Sequence, residues 1–343
     1  MSSHRLCVAP MMDRTDRHFR YLLRLLAPHA RLYTEMITAR ALLHGDARRL
    51  LEFDAAEHPV ALQLGGSEPH ELAVAARLGA DAGYDEINLN VGCPSDRVQA
   101  GCFGAALMRT PGVVADCVAA MGAAVAVPIT VKTRLGVDEH DSYEFLCELV
   151  TRVIGAGCGT LIVHARKAWL KGLSPRENRE IPPLDHPRVH RLKADFPGLC
   201  VVINGGLKST AECVAQLARV DGVMLGRAAV DDLALLAELD ALIFDVAPRR
   251  LDVALDHFLR YVDRELARGT PLRSMTRHLF GLRAGRPGGR RWRRELTHLP
   301  HGSAGLERLH SLAADVAASE PRDPRPAAAA SREVAVEPAF NWS

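Results

Sequence analysis

The feature that most constrains this chain is a regular alternation through roughly its first 230 residues, in which short apolar runs are each trailed by a stretch of helical period. The runs are Leu6–Met11, Leu32–Ile37, Val60–Leu64, Glu86–Val91, Ile129–Arg134, Thr160–His164, Val201–Asn204 and Gly222–Leu225. Helical stretches are predicted over Asp16–Ala27, Pro69–Leu78, Pro111–Met121, Ser142–Ile154, Pro187–Asp195, Ser209–Ala218 and Asp232–Ile243. In the first of them Phe19, Leu22, Leu23 and Leu26 fall on one face. Strands that alternate with helices pair in parallel, and eight such units predict an α/β fold of the (β/α)8 TIM-barrel type. An open doubly wound sheet competes with it. That fold wants a Gly-rich turn after its first strand, where this chain has Pro10-Met11-Met12-Asp13.

A barrel of this type keeps its chemistry at the C-terminal ends of the strands. The polar residues there are Gln63, Asn90 and Cys93, Lys132 and Arg134, His164 and Arg166, Asn204, and Arg227. Lys132 lies among apolar strand residues, so it either faces a ligand or belongs to an ion pair inside the barrel. Asn204-Gly205-Gly206 and Gly226-Arg227 follow the last two strands, where barrels commonly bind phosphate on backbone N–H groups. A flavin mononucleotide (FMN) meets these conditions. Its phosphate would sit on the two glycine loops and its ring would cross the barrel mouth, with Lys132, Gln63 and His164 against it. Cys93 stands in Asn90-Val91-Gly92-Cys93-Pro94-Ser95, at the mouth of the fourth strand. An ordinary thiol is protonated at neutral pH, which suits a proton donor better than a nucleophile. As an isolated residue it could equally be an inert core cysteine.

Charge divides the chain. Residues 1–248 carry 26 Lys+Arg against 30 Asp+Glu, while 249–311 carry 14 against 6. The basic stretch, with Arg291 and Arg294 beside Trp292, is either a polyanion-binding module or a solvated helical face. Helical character over 252–279 is interrupted at Gly269-Thr270-Pro271 and resumes at Leu272. The expected organisation is therefore a barrel over 1–247, a small all-α domain over 248–311 and a disordered Ala/Pro-rich tail over 312–343. No apolar stretch is long enough to span a bilayer, and the opening Met1-Ser2-Ser3-His4-Arg5 lacks a signal peptide's apolar region, so a cytoplasmic protein is expected. Eight cysteines without a Cys-x-x-Cys pair argue for reduced thiols and no metal site.

Several segments together resemble the tRNA-dihydrouridine synthases. They are Ala9-Pro10-Met11-Met12, Leu62-Gln63-Leu64-Gly65-Gly66, Asn88 through Ser95, and Val131-Lys132-Thr133-Arg134. His164 through Pro175, Glu177-Asn178-Arg179 and Pro182-Pro183-Leu184 are similar to the A-type branch, as is Met275 through Arg294. The resemblance covers about residues 6–300. It implies tightly bound FMN, NADPH as reductant, and uridine in the tRNA D-loop, at positions 20 and 20a, as substrate. It makes Cys93 the catalytic acid and places Pro10, Met11, Met12, Gln63, Lys132, His164, Asn204, Gly205, Gly206, Gly226 and Arg227 at the cofactor. Asn90, Arg134, Arg166, Lys171, Arg176, Arg179, Arg291 and Arg294 are the expected substrate and tRNA contacts. A monomer is expected. Two other readings stay open: an FMN barrel that reduces a free pyrimidine, akin to dihydroorotate or dihydropyrimidine dehydrogenases, and a non-catalytic RNA-binding protein on a retired barrel.

Overall fold

The computed structural model describes residues 3–95, 101 and 103–319. Nine parallel strand segments form one sheet: β1 (Leu6–Val8), β2 (Arg31–Tyr33), β3 (Ile37–Thr38), β4 (Val60–Gly65), β5 (Glu86–Val91), β6 (Ile129–Arg134), β7 (Thr160–His164), β8 (Cys200–Asn204) and β9 (Gly222–Leu225). Their order is β2-β1-β9-β8-β7-β6-β5-β4-β3, and a further β2–β4 pairing closes the ring. Leu32 of β2 pairs with Val60 at the start of β4, and Ile37 of β3 pairs with Leu64 near its end. These two segments are thus one stave, and the barrel has the eight staves that the alternation predicts. The expected single strand Leu32–Ile37 is broken because Thr34 turns its side chain into the ladder, where Oγ1 accepts the Gln63 N–H at 3.0 Å.

Helices Arg17–Leu26, Pro69–Asp81, Pro111–Ala124, Tyr143–Gly155, His186–Asp195, Thr210–Leu217 and Leu233–Phe244 surround the ring. Side chains of Asp16, Ser142, Asp185, Ser209 and Asp232 accept the first free N–H groups of five of them, which fixes where each begins. The strands divide their residues by period two. In β5, Ile87, Leu89 and Val91 join the continuous core under the helices, while Glu86, Asn88 and Asn90 face the barrel axis and bond to one another's neighbours there. The axis also holds a small apolar cluster of Cys7, Ala9, Tyr33, Ala61, Ile162, Val202 and Met224.

The C-terminal part is helical: Leu251–Ala267, Leu272–Thr276, Gly289–Thr297 and Gly302–Ser319. Its core is continuous with that of the barrel. Tyr261 stacks on Tyr21 at 4.0 Å between ring centres, and its hydroxyl lies 2.6 Å from His18 Nδ1. Arg17 pairs with the buried Glu265 at 2.7 Å. The last helix carries regular structure past residue 312, where the sequence reading starts a tail, because Leu309 and Leu312 bury their side chains. The rest of the expected tail, residues 320–343, lies outside the described residues. Among the described residues no helix is long and apolar enough to cross a membrane, no cluster could hold a metal ion, and every cysteine is free.

Candidate active site

Cys93 sits where β5 ends, half-buried, with its backbone held on both sides. Its N–H and that of Gly92 donate to Asn90 Oδ1 at 2.9 and 3.1 Å, and its carbonyl accepts from Ala105 N–H at 2.9 Å. Asn90 is oriented in turn by donating Nδ2 to Gln63 Oε1 at 2.9 Å. The thiol reaches Ser95 Oγ at 3.5 Å. Residues 96–100 and Cys102, which complete this loop in the sequence, lie outside the described residues.

Strand register brings the other predicted groups to the same rim. Asn90 pairs with Lys132, Arg134 with His164, and His164 with Asn204. Lys132 donates to Asn204 Oδ1 at 3.2 Å, while Asn204 Nδ2 is fixed by the Met224 carbonyl at 2.8 Å. Burial, reinforced by the charge of Arg134, lowers the Lys132 ammonium to about 7. Burial first, then Arg134, Lys132, Arg166 and Arg179, holds the His164 imidazole well below its usual range, so the ring is neutral at pH 7. Arg134 and Arg166 are also lowered, first by burial and then by neighbouring cations, Arg179 and Arg166 around the first and Arg227 beside the second. Glu180 is the acidic partner here: it pairs with Arg227 at 2.6 Å and with Arg176 at 3.7 Å. Cations that raise one another's energy in this way make the rim a site for an anion.

Backbone geometry matches. Gly205 and Gly206 have φ of 109° and 78°, which a side chain rarely tolerates. A Cβ on Gly205 would stand 2.6 Å from His164 Cδ2, so glycine lets the loop lie against the ring. Neither N–H of this pair, nor that of Gly226, finds an acceptor among the described residues. Arg166 Nε is buried and likewise unpartnered, although its Nη1 bonds the Pro182 carbonyl. Pro10 and Met11 are half-buried just beyond β1, and Met12 is exposed.

Arg134 behaves differently from a simple contact residue. It is buried, and it donates to three main-chain carbonyls: Gly92 at 2.9 Å, Lys167 at 3.0 Å and Asn178 at 2.9 Å. It therefore ties the thiol loop to the segment after β7. Asn178, fully buried, shapes that segment through Trp169 N–H and the carbonyls of Trp169 and Leu173. Lys171, Arg176 and Arg179 are exposed on it. In the C-terminal part the basic stretch sorts into two sets. Arg283 and Trp292 are buried and bond the Pro287 and Leu279 carbonyls. Arg290, Arg291, Arg293 and Arg294 are exposed; Arg291 pairs with Asp315 at 3.0 Å and Arg294 with Glu295 at 3.8 Å. Three interior residues, Glu86, Asn88 and Thr130, escape the sequence reading. Their signal is the polar half of the period-two pattern in Glu86-Ile87-Asn88-Leu89-Asn90 and Thr130-Val131-Lys132.

Comparison with known proteins agrees with this geometry. The dihydrouridine synthase family model matches residues 7–318. The tRNA-dihydrouridine(20/20a) synthase of Xanthomonas campestris is 56% identical over 299 residues, spanning 87% of this chain and 89% of its own. Its namesake in Escherichia coli K12 is 53% identical over 320 residues, spanning 91% and 92%. That of Vibrio cholerae is 52% identical over 318 residues, spanning 92% and 97%. With the family model covering nearly all of the described chain and relatives above half identity along their length, the chain belongs to the dihydrouridine synthase family.

Proposed function

We propose that this protein reduces the C5=C6 bond of uridine in the D-loop of tRNA, at positions 20 and 20a, with FMN as cofactor, NADPH as reductant and Cys93 as the acid. The observation that carries this reading is the half-buried thiol set beside a rim of mutually repelling cations, on a chain whose relatives are named for that reaction.

The residues present fit an anionic, phosphate-bearing cofactor. Lys132 keeps one bond, to Asn204, among the described residues; Arg166 Nε is an orphaned buried donor; and the N–H groups of Gly205, Gly206 and Gly226 are open. Lys132, Gln63 and His164 would hold the ring, and Asn204 through Gly206 with Gly226 and Arg227 the phosphate. Pro10, Met11 and Met12 would line the near wall. Reduced flavin would supply the hydride to C6 of the uracil.

The chain's own part is then acid catalysis and placement. Cys93 Sγ gives its proton to C5 as the C6–H bond forms, and the thiolate left behind is reprotonated from solvent. Lys132 stands opposite Asn90 in the ladder and Arg134 bonds the carbonyl of Gly92, so the departing proton leaves its thiolate on a loop flanked by cations. Asn90 holds the loop through its Oδ1 and would meet the substrate with what remains of its Nδ2 donors. Swinging a uridine out of folded tRNA costs a few kcal/mol. Lys171, Arg176 and Arg179, with the exposed arginines of 290–294, would offset that cost through phosphate contacts.

Cys93→Ala should purify yellow, with flavin absorbance intact, and form almost no dihydrouridine in unmodified tRNA. Full activity in that variant, or a colourless wild-type preparation, refutes the reading.

A further inference from the structure

Beneath the thiol loop the barrel axis carries a column of polar side chains. The N–H groups of Gly92 and Cys93 donate to Asn90 Oδ1 at 3.1 and 2.9 Å. Asn90 Nδ2 donates to Gln63 Oε1 at 2.9 Å, and Gln63 Nε2 to Asn88 Oδ1 at 2.7 Å. Asn88 Nδ2 donates to Thr130 Oγ1 at 2.8 Å, and that hydroxyl to Glu86 Oε1 at 2.6 Å. Each group donates to the next in one direction, from the thiol loop toward Glu86.

The direction is imposed by the ends. A peptide N–H can only donate, and an ionised carboxylate can only accept. Glu86 is ionised: burial opposes its charge, but His4, Arg31 and Thr130 outweigh that and hold its carboxyl below the usual range. His4 Nε2 lies at 2.7 Å, Arg31 Nη1 at 3.3 Å and the Tyr33 hydroxyl at 2.9 Å. Between such ends each amide has one orientation that satisfies both neighbours. Turning any one over sets N–H against N–H. All the rungs are buried, so water cannot repair a broken link.

We propose that Glu86 and Thr130, remote from the reacting atoms, are positioning residues for the reduction: the one-way column that they start fixes Asn90 and, through it, the backbone that carries the Cys93 thiol. This rests on Cys93 being the acid. Bonds in such a chain polarise one another, and a break in the middle leaves the upper amides free to turn. A column that only satisfied the core would affect stability and leave the thiol loop untouched.

The test compares Thr130→Val, Thr130→Ser and Val131→Ala in the flavin-loaded protein. Val131 lies on the same strand but packs outward under the helices, so its truncation weakens the core without touching the column. Readouts are kcat, KM for tRNA, and the rate of Cys93 alkylation by iodoacetamide, followed on a tryptic peptide separate from that of Cys102 because Arg97 lies between them. In Thr130→Val, kcat should fall roughly ten- to a hundredfold with KM for tRNA unchanged, and Cys93 should alkylate several-fold faster. Thr130→Ser and Val131→Ala should match wild type in both. The proposal is overturned if Thr130→Val matches wild type, if Thr130→Ser fails equally, or if Val131→Ala reproduces both effects. Should Thr130→Val not fold, amide exchange in the wild-type holoenzyme decides: slow exchange at Gly92 and Cys93 supports the column, and exchange as fast as an open loop overturns it. Alkylation and exchange report on the column even if Cys93→Ala proves active, so the two ideas fail separately.

Discussion

Replacing Arg134 by lysine keeps the charge at the rim and removes the geometry. The guanidinium serves three carbonyls, those of Gly92, Lys167 and Asn178, all at 2.9–3.0 Å. A lysine ends in a single point donor that cannot span the two loops, so about two of the three acceptors lose their partner. At about 1 kcal/mol for each buried bond lost, Arg134→Lys should cost about 2 kcal/mol. For a chain of this size that lowers Tm by roughly 3 °C. The larger effect should be on turnover, because one of the freed carbonyls belongs to the residue before Cys93. A shift of the thiol by a fraction of an ångström is enough for roughly a tenfold loss of kcat. The assay is dihydrouridine formation on unmodified tRNA, beside thermal unfolding of the same preparation. Wild-type kcat and Tm together would refute the strut. Wild-type kcat in Arg134→Lys with a large fall in Arg134→Met would instead mark Arg134 as an electrostatic contact, because lysine keeps the charge.

Other outcomes follow from the same geometry. Lys132 has a folded-state pKa of about 7, below that of the unfolded chain, so its burial destabilises the fold fully below that pH and only slightly near pH 10. Lys132→Met should therefore raise the urea midpoint of the flavin-free chain at about pH 7, with most of the gain lost by about pH 10; an equal gain at both would refute the assignment. Gly205→Ala adds a Cβ 2.6 Å from the His164 ring at a φ of 109°, and should give a folded but colourless protein. Arg290 and Arg293 are exposed with no acidic partner among the described residues, whereas Arg291 and Arg294 have one. Changing the first pair to alanine should weaken tRNA binding and lower its salt slope by about 2, measured by filter binding at several salt concentrations. An unchanged slope would return that face to plain solvent contact.

Most of the barrel was legible because its outward residues are apolar at period two and its helices open on Asp, Ser or Pro. The rim was legible too, since Gln63, Asn90, Lys132, His164 and Asn204 each stand near the end of a strand. Other features were hidden because no local pattern separates a buried arginine from an exposed one. Arg20 is buried against Glu57 at 2.6 Å, and Arg24 gives its guanidinium to the carbonyls of Glu57, Ala27, Pro28 and Pro59. Arg134 and Arg283 do likewise, and only the positions of distant carbonyls distinguish them from Arg290. The short helices Ala39–His44 and Ala47–Leu50 carry too few apolar positions for periodicity to register. The break between β2 and β3 depends on one threonine hydroxyl in the ladder.

Asp16 holds two jobs at one carboxylate. It caps the helix after the first barrel strand through Phe19 N–H, and it pairs with His278 and Arg277 of the C-terminal part. Burial raises its pKa, but His278 and Arg277 outweigh that and hold it far below the ordinary carboxylate range, so the junction persists in mild acid. Close by, a side chain at Gly281 would collide with the Val230 carbonyl, in the helix that opens at Arg227 on the rim. The helical part that carries the basic face and the barrel that carries the thiol are therefore held together by one shared core. If the arginines hold the tRNA backbone, as proposed, that shared core fixes how far the thiol stands from them, and which uridine reaches it becomes a question of length.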